Sequence, residues 1–222
     1  MKHTITATDG RELDLTYFVE WRPYLWATPL LHAIEFLGDL RGKRVLEIGG
    51  RYGRMTSLFA LLGAEVTMLE KIESDREEVG KVTILEKDEM VRARDEVNKW
   101  GGADRVRLIY TKGGFDEISG ETFDVIFTKS VLWCIEDLRG FLEQIDVHLA
   151  EGGKVAFIEN FRGGKALLWL RRILKGQDAF EYERLYRGIT PQQIPIFRHC
   201  FADVRVRRHR FFVYEIFGYK AR

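Results

Sequence analysis

The residues of this chain with the clearest chemical signal form a glycine-rich stretch directly after a strand-like segment. An apolar run over 44–48 ends in Gly49, Gly50 and Gly53, and a helical pattern over 53–62 follows at once. Where a strand breaks on glycines and turns into a helix, the backbone can approach a ligand closely, and the N–H groups of the helix start point towards it. The stretch therefore predicts a binding site for a nucleoside-containing ligand.

An acidic residue stands at the end of the next strand-like run. The apolar segment 66–69 leads directly into Glu70. A carboxylate at the tip of a neighbouring strand suits hydrogen bonds from the two hydroxyls of a ribose. A near copy of this segment at 82–87 offers Glu86 as the alternative. We prefer Glu70, because a helix over 53–62 leaves just enough chain for the next strand to begin near Glu65.

The elements that would position these residues alternate between strand and helix. This alternation favours a mostly parallel sheet that helices cover on both faces. The end of the chain differs, since two β-rich runs within 205–217 flank a turn near His209 and predict an antiparallel hairpin. A further helix is predicted at 28–37, with Pro29 in its first turn. Strands are predicted at 44–48, 65–70, 105–110, 123–128 and 153–159, and helices at 53–62, 83–100 and 137–149.

Length and composition limit the class of protein. The chain has 222 residues, of which 45% are hydrophobic and 31% are charged, as expected for one globular domain. No apolar run approaches the ~18 residues of a membrane span. The start of the chain lacks the apolar stretch of a signal peptide, so we expect a cytoplasmic protein. The two cysteines, Cys134 and Cys200, and five scattered histidines give little support for a disulfide framework or a metal site.

Positive charge is concentrated in the last part of the chain. Residues 161–222 contain 14 Lys and Arg against 5 Asp and Glu, although the whole chain has a net charge of only +1. Within this part, 161–175 combines five basic residues and no acid with a helical apolar stripe. Such a helix can lie on an anionic membrane or bind an anionic or lipid-linked acceptor. The alternative is a lid helix with a solvated basic face.

Four motifs occur in an order and spacing that resemble one protein family. The acid and the glycines of its first motif map onto Glu47, Gly49, Arg51 and Gly53, with arginine in place of the middle glycine. Together the motifs resemble the class I S-adenosylmethionine-dependent methyltransferases, above all their small-molecule branch. The other three motifs are the fourth strand and its loop at 123–138, the Gly-Gly turn before strand five at 148–155, and the last helix with a reversed hairpin at 189–220.

The resemblance implies a fold, a cofactor and a reaction. The fold is α/β and Rossmann-like, with a seven-stranded, mostly parallel sheet that ends in an antiparallel hairpin. The cofactor is S-adenosylmethionine, and its methyl group goes to an oxygen or nitrogen of a small-molecule acceptor. We expect one domain over 1–222, with 1–42 as a helical lid and 161–188 as inserted helices on the acceptor side. The cofactor residues carried over by motif are Glu47, Gly49, Gly50, Gly53, Glu70, Gly113, Thr128 and Lys129.

Two positions depart from the pattern of that family. Arg51 puts a large side chain where backbone normally approaches the cofactor. Lys112 stands where relatives often carry an acid near the adenine amine, and an ammonium group cannot accept that hydrogen bond. Because of these two departures, a second interpretation stays open, in which the protein has the cofactor-binding fold but no catalytic activity and acts by binding a partner.

The acceptor side of the expected site is less well defined. By family analogy, His199 and His209 are candidate catalytic bases, and Glu159 at the end of strand five is a third. The expected acceptor contacts are Tyr17, Trp21 and Trp133. The alternative for Tyr17 and Trp21 is a helix buried against the sheet edge, and for Trp133 it is core packing.

Two other enzyme classes fit the sequence less well. A nucleic-acid methyltransferase would use the basic last third as its electrostatic surface, but the stretch after the fourth strand lacks the Asn/Asp-Pro-Pro-aromatic pattern of enzymes that act on base amines. Nucleic acid is therefore an unlikely partner. A nicotinamide dehydrogenase would need a GxGxxG spacing, which Gly49, Gly50 and Gly53 do not match.

Overall fold

The protein is built around a single large β-sheet. The computed structural model describes residues 3–19, 22–71, 85–111, 114–160, 173, 188–209 and 213–221. Two small strands, β1 (Thr4–Thr6) and β2 (Glu12–Asp14), precede the large sheet and pair with each other. The large sheet contains β3 (Arg44–Ile48), β4 (Glu65–Lys71), β5 (Val106–Thr111), β6 (Phe123–Lys129), β7 (Leu149–Asn160), β8 (Phe201–His209) and β9 (Val213–Lys220).

The strand order of the large sheet is β5-β4-β3-β6-β7-β9-β8. The first five strands in this order are parallel, whereas β9 is antiparallel to both β7 and β8. The predicted seven-stranded sheet with a reversed terminal hairpin is confirmed. Since the chain first moves from β3 to β4 and β5 and then returns to β6, the switch point lies between β3 and β6. Ligands of open α/β sheets bind at the carboxyl ends of the strands beside such a point.

The helices of the described chain lie on both faces of this sheet. They are α1 (Leu15–Phe18), α2 (Pro23–Leu37), α3 (Arg54–Leu61), α4 (Leu85–Trp100), α5 (Leu138–Val147) and α6 (Ile194–Cys200). The core on one face includes α1, α2 and α3, where Phe59 meets Phe127 edge-on at a centroid distance of 4.9 Å. The core on the other face includes α5 and α6, where Phe157 meets Phe197 at 5.4 Å. Both layers therefore attach to the same buried strands.

Two predicted elements begin several residues earlier in the structure than the sequence suggested. The helix predicted at 28–37 begins at Pro23, a favourable first position because proline has no N–H to satisfy, and Pro29 lies inside it. The last parallel strand begins at Leu149 instead of 153, because Leu149 already pairs with Phe123. An irregularity with a positive φ at Gly152 separates this pair from the regular pairing that starts at Lys154. The predicted order of elements is unaffected.

The N-terminal helix α2 is a core element of the domain. Trp26 and Leu30 are fully buried in it, and its end is fixed by Lys154, whose ammonium donates to the carbonyls of Phe36 and Leu37, each at 2.9 Å. The same end of α2 is also held by a stacked contact between the rings of Phe36 and Phe217 of β9. Helix α2 is thus packed on the inner strands β7 and β9. None of the described helices has the length and apolar character needed to cross a membrane.

Candidate functional site

The glycine turn after β3 is held between two neighbouring elements. Gly49 and Gly53 have φ angles of +79° and +74°, a region that side chains rarely adopt. A Cβ on Gly53 would lie 2.9 Å from the carbonyl oxygen of Ala93 in α4, and a Cβ on Gly49 would overlap the side chain of Val131. Gly49 also continues the sheet, because its N–H donates to Leu69 at 2.9 Å. Glycine is thus required here by both conformation and packing.

Glu70 lies beside this turn, on the neighbouring strand. One of its carboxylate oxygens accepts a hydrogen bond from the N–H of Arg51 at 2.6 Å. The acid predicted for the ribose and the glycine turn are therefore parts of one site. The near copy at 82–84 lies outside the described residues, and Glu86 falls in the first turn of α4.

Arg51 adapts to its unusual position by a left-handed backbone. Its φ is +45°, and its Nε donates to Glu89 of α4 at 3.1 Å. The guanidinium lies over the ring of Tyr52, 4.5 Å from the centroid. The ion pair and the ring contact hold the large side chain against α4 while its backbone N–H serves Glu70. Lys112, the second departure from the family pattern, lies outside the described residues.

Glu47 supports the turn from beneath. Its carboxylate is buried and accepts a hydrogen bond from the hydroxyl of Thr56 in α3. In the same helix, the hydroxyl of Ser57 donates to the carbonyl of Gly53 at 2.8 Å. These two bonds tie the first turn of α3 to the end of β3. The structure thus gives Glu47 an orienting contact with the glycine turn.

Sequence reasoning missed Tyr110, which stands opposite Glu70 on β5. The two residues pair directly across the parallel strands. Burial raises the pKa of the phenol, and the negative charge of Glu70 raises it further. Its hydroxyl is buried and has no hydrogen-bond acceptor or donor among the residues that the structure describes. An aromatic residue at a strand end beside an acid was the available signal.

Glu159 lies at the end of β7 and faces inward. It is fully buried and accepts hydrogen bonds from the Thr128 hydroxyl at 2.9 Å and from the N–H groups of Val131 and Leu132, both at 3.0 Å. Burial raises its pKa to about 7, although these three bonds and the charge of Lys129 oppose the rise. Its observed contacts hold the loop that follows β6.

The loop after β6 has a strained residue at its start. Ser130 has a φ of +58°, and Asn160 of β7 donates to its hydroxyl at 2.6 Å. The indole of Trp133 donates to the Ser130 carbonyl, also at 2.6 Å, so this ring is directed back to its own loop. Lys129 lies with its ammonium 5.4 Å from the ring centroid of Trp26. Strained backbone that neighbours hold in place is a common feature of functional sites.

A second titratable cluster lies at the same edge of the sheet, around the buried Glu215 of β9. His209 has its Nδ1 4.0 Å from a Glu215 oxygen, and His32 of α2 has its Nδ1 3.1 Å from both oxygens. Arg207 approaches His32 at 3.2 Å. Burial raises the pKa of Glu215, while the bond to His32 opposes this. His199, by contrast, is exposed on the last turn of α6.

The remaining acceptor-side residues are not brought together by the described chain. Tyr17 packs edge-on against Trp100 and donates its hydroxyl to Glu96 of α4 at 2.6 Å. Trp21 and Gly113 lie outside the described residues, as do 161–172 and 174–187. Acceptor contacts by Tyr17, Trp21 and Trp133 stay predictions.

These features define the class of the protein. A seven-stranded sheet with a reversed hairpin, a glycine turn after its first parallel strand and an acid on the next strand form the Rossmann-like fold of class I methyltransferases. The sequence profile of a methyltransferase domain matches residues 18–201, and the chain belongs to this family. The predicted family is thereby confirmed.

Solved structures share the fold at low identity. The N-methyltransferase NodS from Bradyrhizobium japonicum WM9, in complex with S-adenosyl-L-homocysteine, is 16% identical with a TM-score of 0.61, and the match covers 95% of this chain and 94% of that one. Phosphoethanolamine N-methyltransferase 2 from Haemonchus contortus, in complex with S-adenosyl-L-methionine, is 22% identical with a TM-score of 0.59, over 82% and 38% of the two chains. An O-methyltransferase family protein from Burkholderia thailandensis is 12% identical with a TM-score of 0.58, over 91% and 61%.

The chain corresponds to only part of several other solved structures. In three further structures with this fold, the match covers 61%, 59% and 61% of the other chain, so this chain spans about three fifths of their length. A search of curated proteins finds no match. At such identities the likeness is one of fold.

Proposed function

We propose that this protein is an S-adenosylmethionine-dependent methyltransferase that acts on an oxygen or nitrogen of a small-molecule acceptor. The observation that carries the proposal is the hydrogen bond between Arg51 N–H and Glu70, which joins the glycine turn to an acid at the end of the neighbouring strand. Membership of the methyltransferase-domain family supports it.

The residues of this site fit the cofactor. Glycine at 49, 50 and 53 leaves three positions of the turn without a side chain, and a Cβ on Gly50 would lie 2.5 Å from Cγ and Sδ of Met68. Glu70 offers a carboxylate to a ribose diol, and the backbone of the turn offers N–H groups to the amino-acid part. When bound, S-adenosylmethionine supplies a methyl group already activated by the sulfonium charge. The protein then has to hold the acceptor atom in line with that methyl group, which is mainly a task of positioning.

The loop after β6 forms the wall between this turn and the acceptor side. Thr128 and Lys129 end the strand, and Trp133 lies in the single 3-10 turn that follows. A neutral amine or a phenolate would need no base from this chain, whereas an alcohol would need one. Of the candidates from sequence, His209 is favoured by its position near the buried Glu215, at the same edge of the sheet. The nature of the acceptor, including an anionic or lipid-linked one bound through 161–175, belongs to this proposal.

Calorimetry with S-adenosylmethionine, S-adenosylhomocysteine and NAD, run side by side, tests the proposal. We expect binding of the first two and none of NAD. Glu70→Gln should weaken S-adenosylhomocysteine binding by about 5- to 100-fold, because the ribose hydroxyls lose a charged acceptor. Glu65→Gln, at the exposed opposite end of the same strand, is the matched control and should bind as the wild type does. Binding of NAD alone would refute the proposal.

A further inference from the structure

The end of β7 and the chain around the end of β6 share a buried polar contact. The Glu159 carboxylate has no exposed surface, and three donors converge on it, one from the end of β6 and two from the loop that follows. Two of these donors are backbone N–H groups, those of Val131 and Leu132. A buried carboxylate is costly unless such donors surround it, so its position must serve a specific arrangement of the chain.

That arrangement reaches the glycine turn through Val131. The side chain of Val131 occupies the space into which a Cβ on Gly49 would project. One residue earlier, the left-handed Ser130 is held by Asn160, the neighbour of Glu159 on β7. A direct line of contacts therefore runs from Glu159 through the Val131 backbone to Gly49.

Resting on the proposed function, we propose that Glu159 is a positioning residue that fixes the end of β6 and the start of its loop, 128–132, against the glycine turn and so completes the wall of the cofactor site. It acts through Thr128, Val131 and Leu132, and it does not itself touch the acceptor. A glutamine at this position has only one acceptor oxygen. Its NH2 group would replace the second carboxylate oxygen, so at least one of the three donors would lose its acceptor. The loop would then lose part of its anchor while the fold remains.

The variant Glu159→Gln tests this role through the affinity for S-adenosylhomocysteine. We expect dissociation constants about tenfold higher than for the wild type at pH 8. As the pH falls from 8 to 6, Glu159 of the wild type becomes protonated and loses part of its capacity to accept hydrogen bonds, so the affinity for S-adenosylhomocysteine should fall. The affinity of Glu159→Gln should not change over the same pH range. The charged and titratable groups that face Glu159 are Lys129 on β6 and Tyr214 on β9, which remain in both proteins.

Amide hydrogen exchange gives a readout that is independent of the cofactor. In Glu159→Gln, the amides of Val131 and Leu132 should exchange at least about tenfold faster than in the wild type, while the amides of the β3 strand keep their protection. The matched control is His148→Gln. It removes a buried polar ring directly before the start of β7, at the other end of the strand from Glu159, where His148 Nδ1 bonds to the Glu121 carbonyl at 2.8 Å, and it should alter neither readout.

The outcomes separate the two proposals. If the wild type binds no S-adenosylhomocysteine, the proposed function fails, and the link between Glu159 and the cofactor fails with it. If the wild type binds but Glu159→Gln binds equally well with a parallel pH profile, the proposed function stands and the positioning role is overturned. Unchanged exchange at Val131 and Leu132 would overturn it as well. Lower affinity together with local exchange at these two amides would establish it.

Discussion

Gly49 and Val131 lie in direct contact at the switch point of the sheet, one at the end of β3 and the other just after β6. Val131 fills the space that any side chain at position 49 would need. The contact joins two loops that are far apart in sequence but adjacent at the carboxyl edge of the sheet. It explains why this position has to be glycine whatever ligand is bound.

Gly49→Ala should destabilise the protein by at least about 2 kcal/mol, since a Cβ there adds overlap with Val131 to an already left-handed φ of +79°. Urea unfolding followed by circular dichroism measures the difference. Gly120→Ala is the matched control, because φ is +76° and nothing lies within 4 Å of its Cβ. The control should lose only about 1–2 kcal/mol. Equal losses would contradict the contact between the two loops.

Thr56→Val should destabilise the protein by about 1–3 kcal/mol, because it keeps the shape of the side chain and removes the hydroxyl that donates to the buried Glu47. Thr56→Ser keeps the hydroxyl and serves as the control. Thermal or urea unfolding of the three proteins compares them directly. Thr56 is fully buried, so the serine variant measures the cost of losing only the methyl group. A valine variant as stable as the wild type would show that Glu47 does not depend on this bond.

The stability of the protein should depend on pH through Glu159. Its pKa lies at about 7 in the folded protein against 4.5 as the ordinary value, so the folded state binds the proton more tightly than the unfolded state. The stabilising effect of that proton is fully present below pH 4.5 and is lost as the pH rises through 7. Relative to Glu159→Gln, the wild type should lose on the order of 3 kcal/mol of unfolding free energy between pH 4.5 and pH 8.

Urea unfolding at several pH values measures this difference. Glu65→Gln controls for the removal of a carboxylate from the exposed surface. A constant difference between wild type and Glu159→Gln across the range would mean that Glu159 titrates alike in both states.

Tyr17→Phe should lower stability by about 1–2 kcal/mol without changing the affinity for S-adenosylhomocysteine, because the tyrosine hydroxyl joins Glu96 and Lys99 of α4. Chemical unfolding and calorimetry on the same preparations check both parts. Weaker binding of S-adenosylhomocysteine at unchanged stability would contradict this structural role of the hydroxyl and would mean that Tyr17 also supports the cofactor site.

The sequence was sufficient for the order of the elements and for one half of the site. The glycines after β3 and the acid at the end of β4 have local patterns, since a strand that ends in glycines or in a charge is visible within ten residues. The start of α2 was misplaced because Pro29 resembles a first-turn proline, whereas burial of Trp26 and Leu30 extends the helix back to Pro23.

The other half of the site depends on contacts between distant segments. Glu159 bonds to Thr128, 31 residues away, and no local pattern reveals which of its possible donors it meets. The contact of Val131 with Gly49 depends on the register of β3 and β6. The signal within reach was the single carboxylate that follows the apolar run 155–158, since a charge in such a place needs buried donors.

The most direct test of the central claim is a crystal structure of the protein with S-adenosylhomocysteine. We predict that the ribose hydroxyls lie within hydrogen-bond distance of the Glu70 carboxylate and that the amino-acid part lies along the turn from Gly49 to Gly53. A ligand bound elsewhere, or a crevice filled by the guanidinium of Arg51 at saturating ligand, would contradict the account.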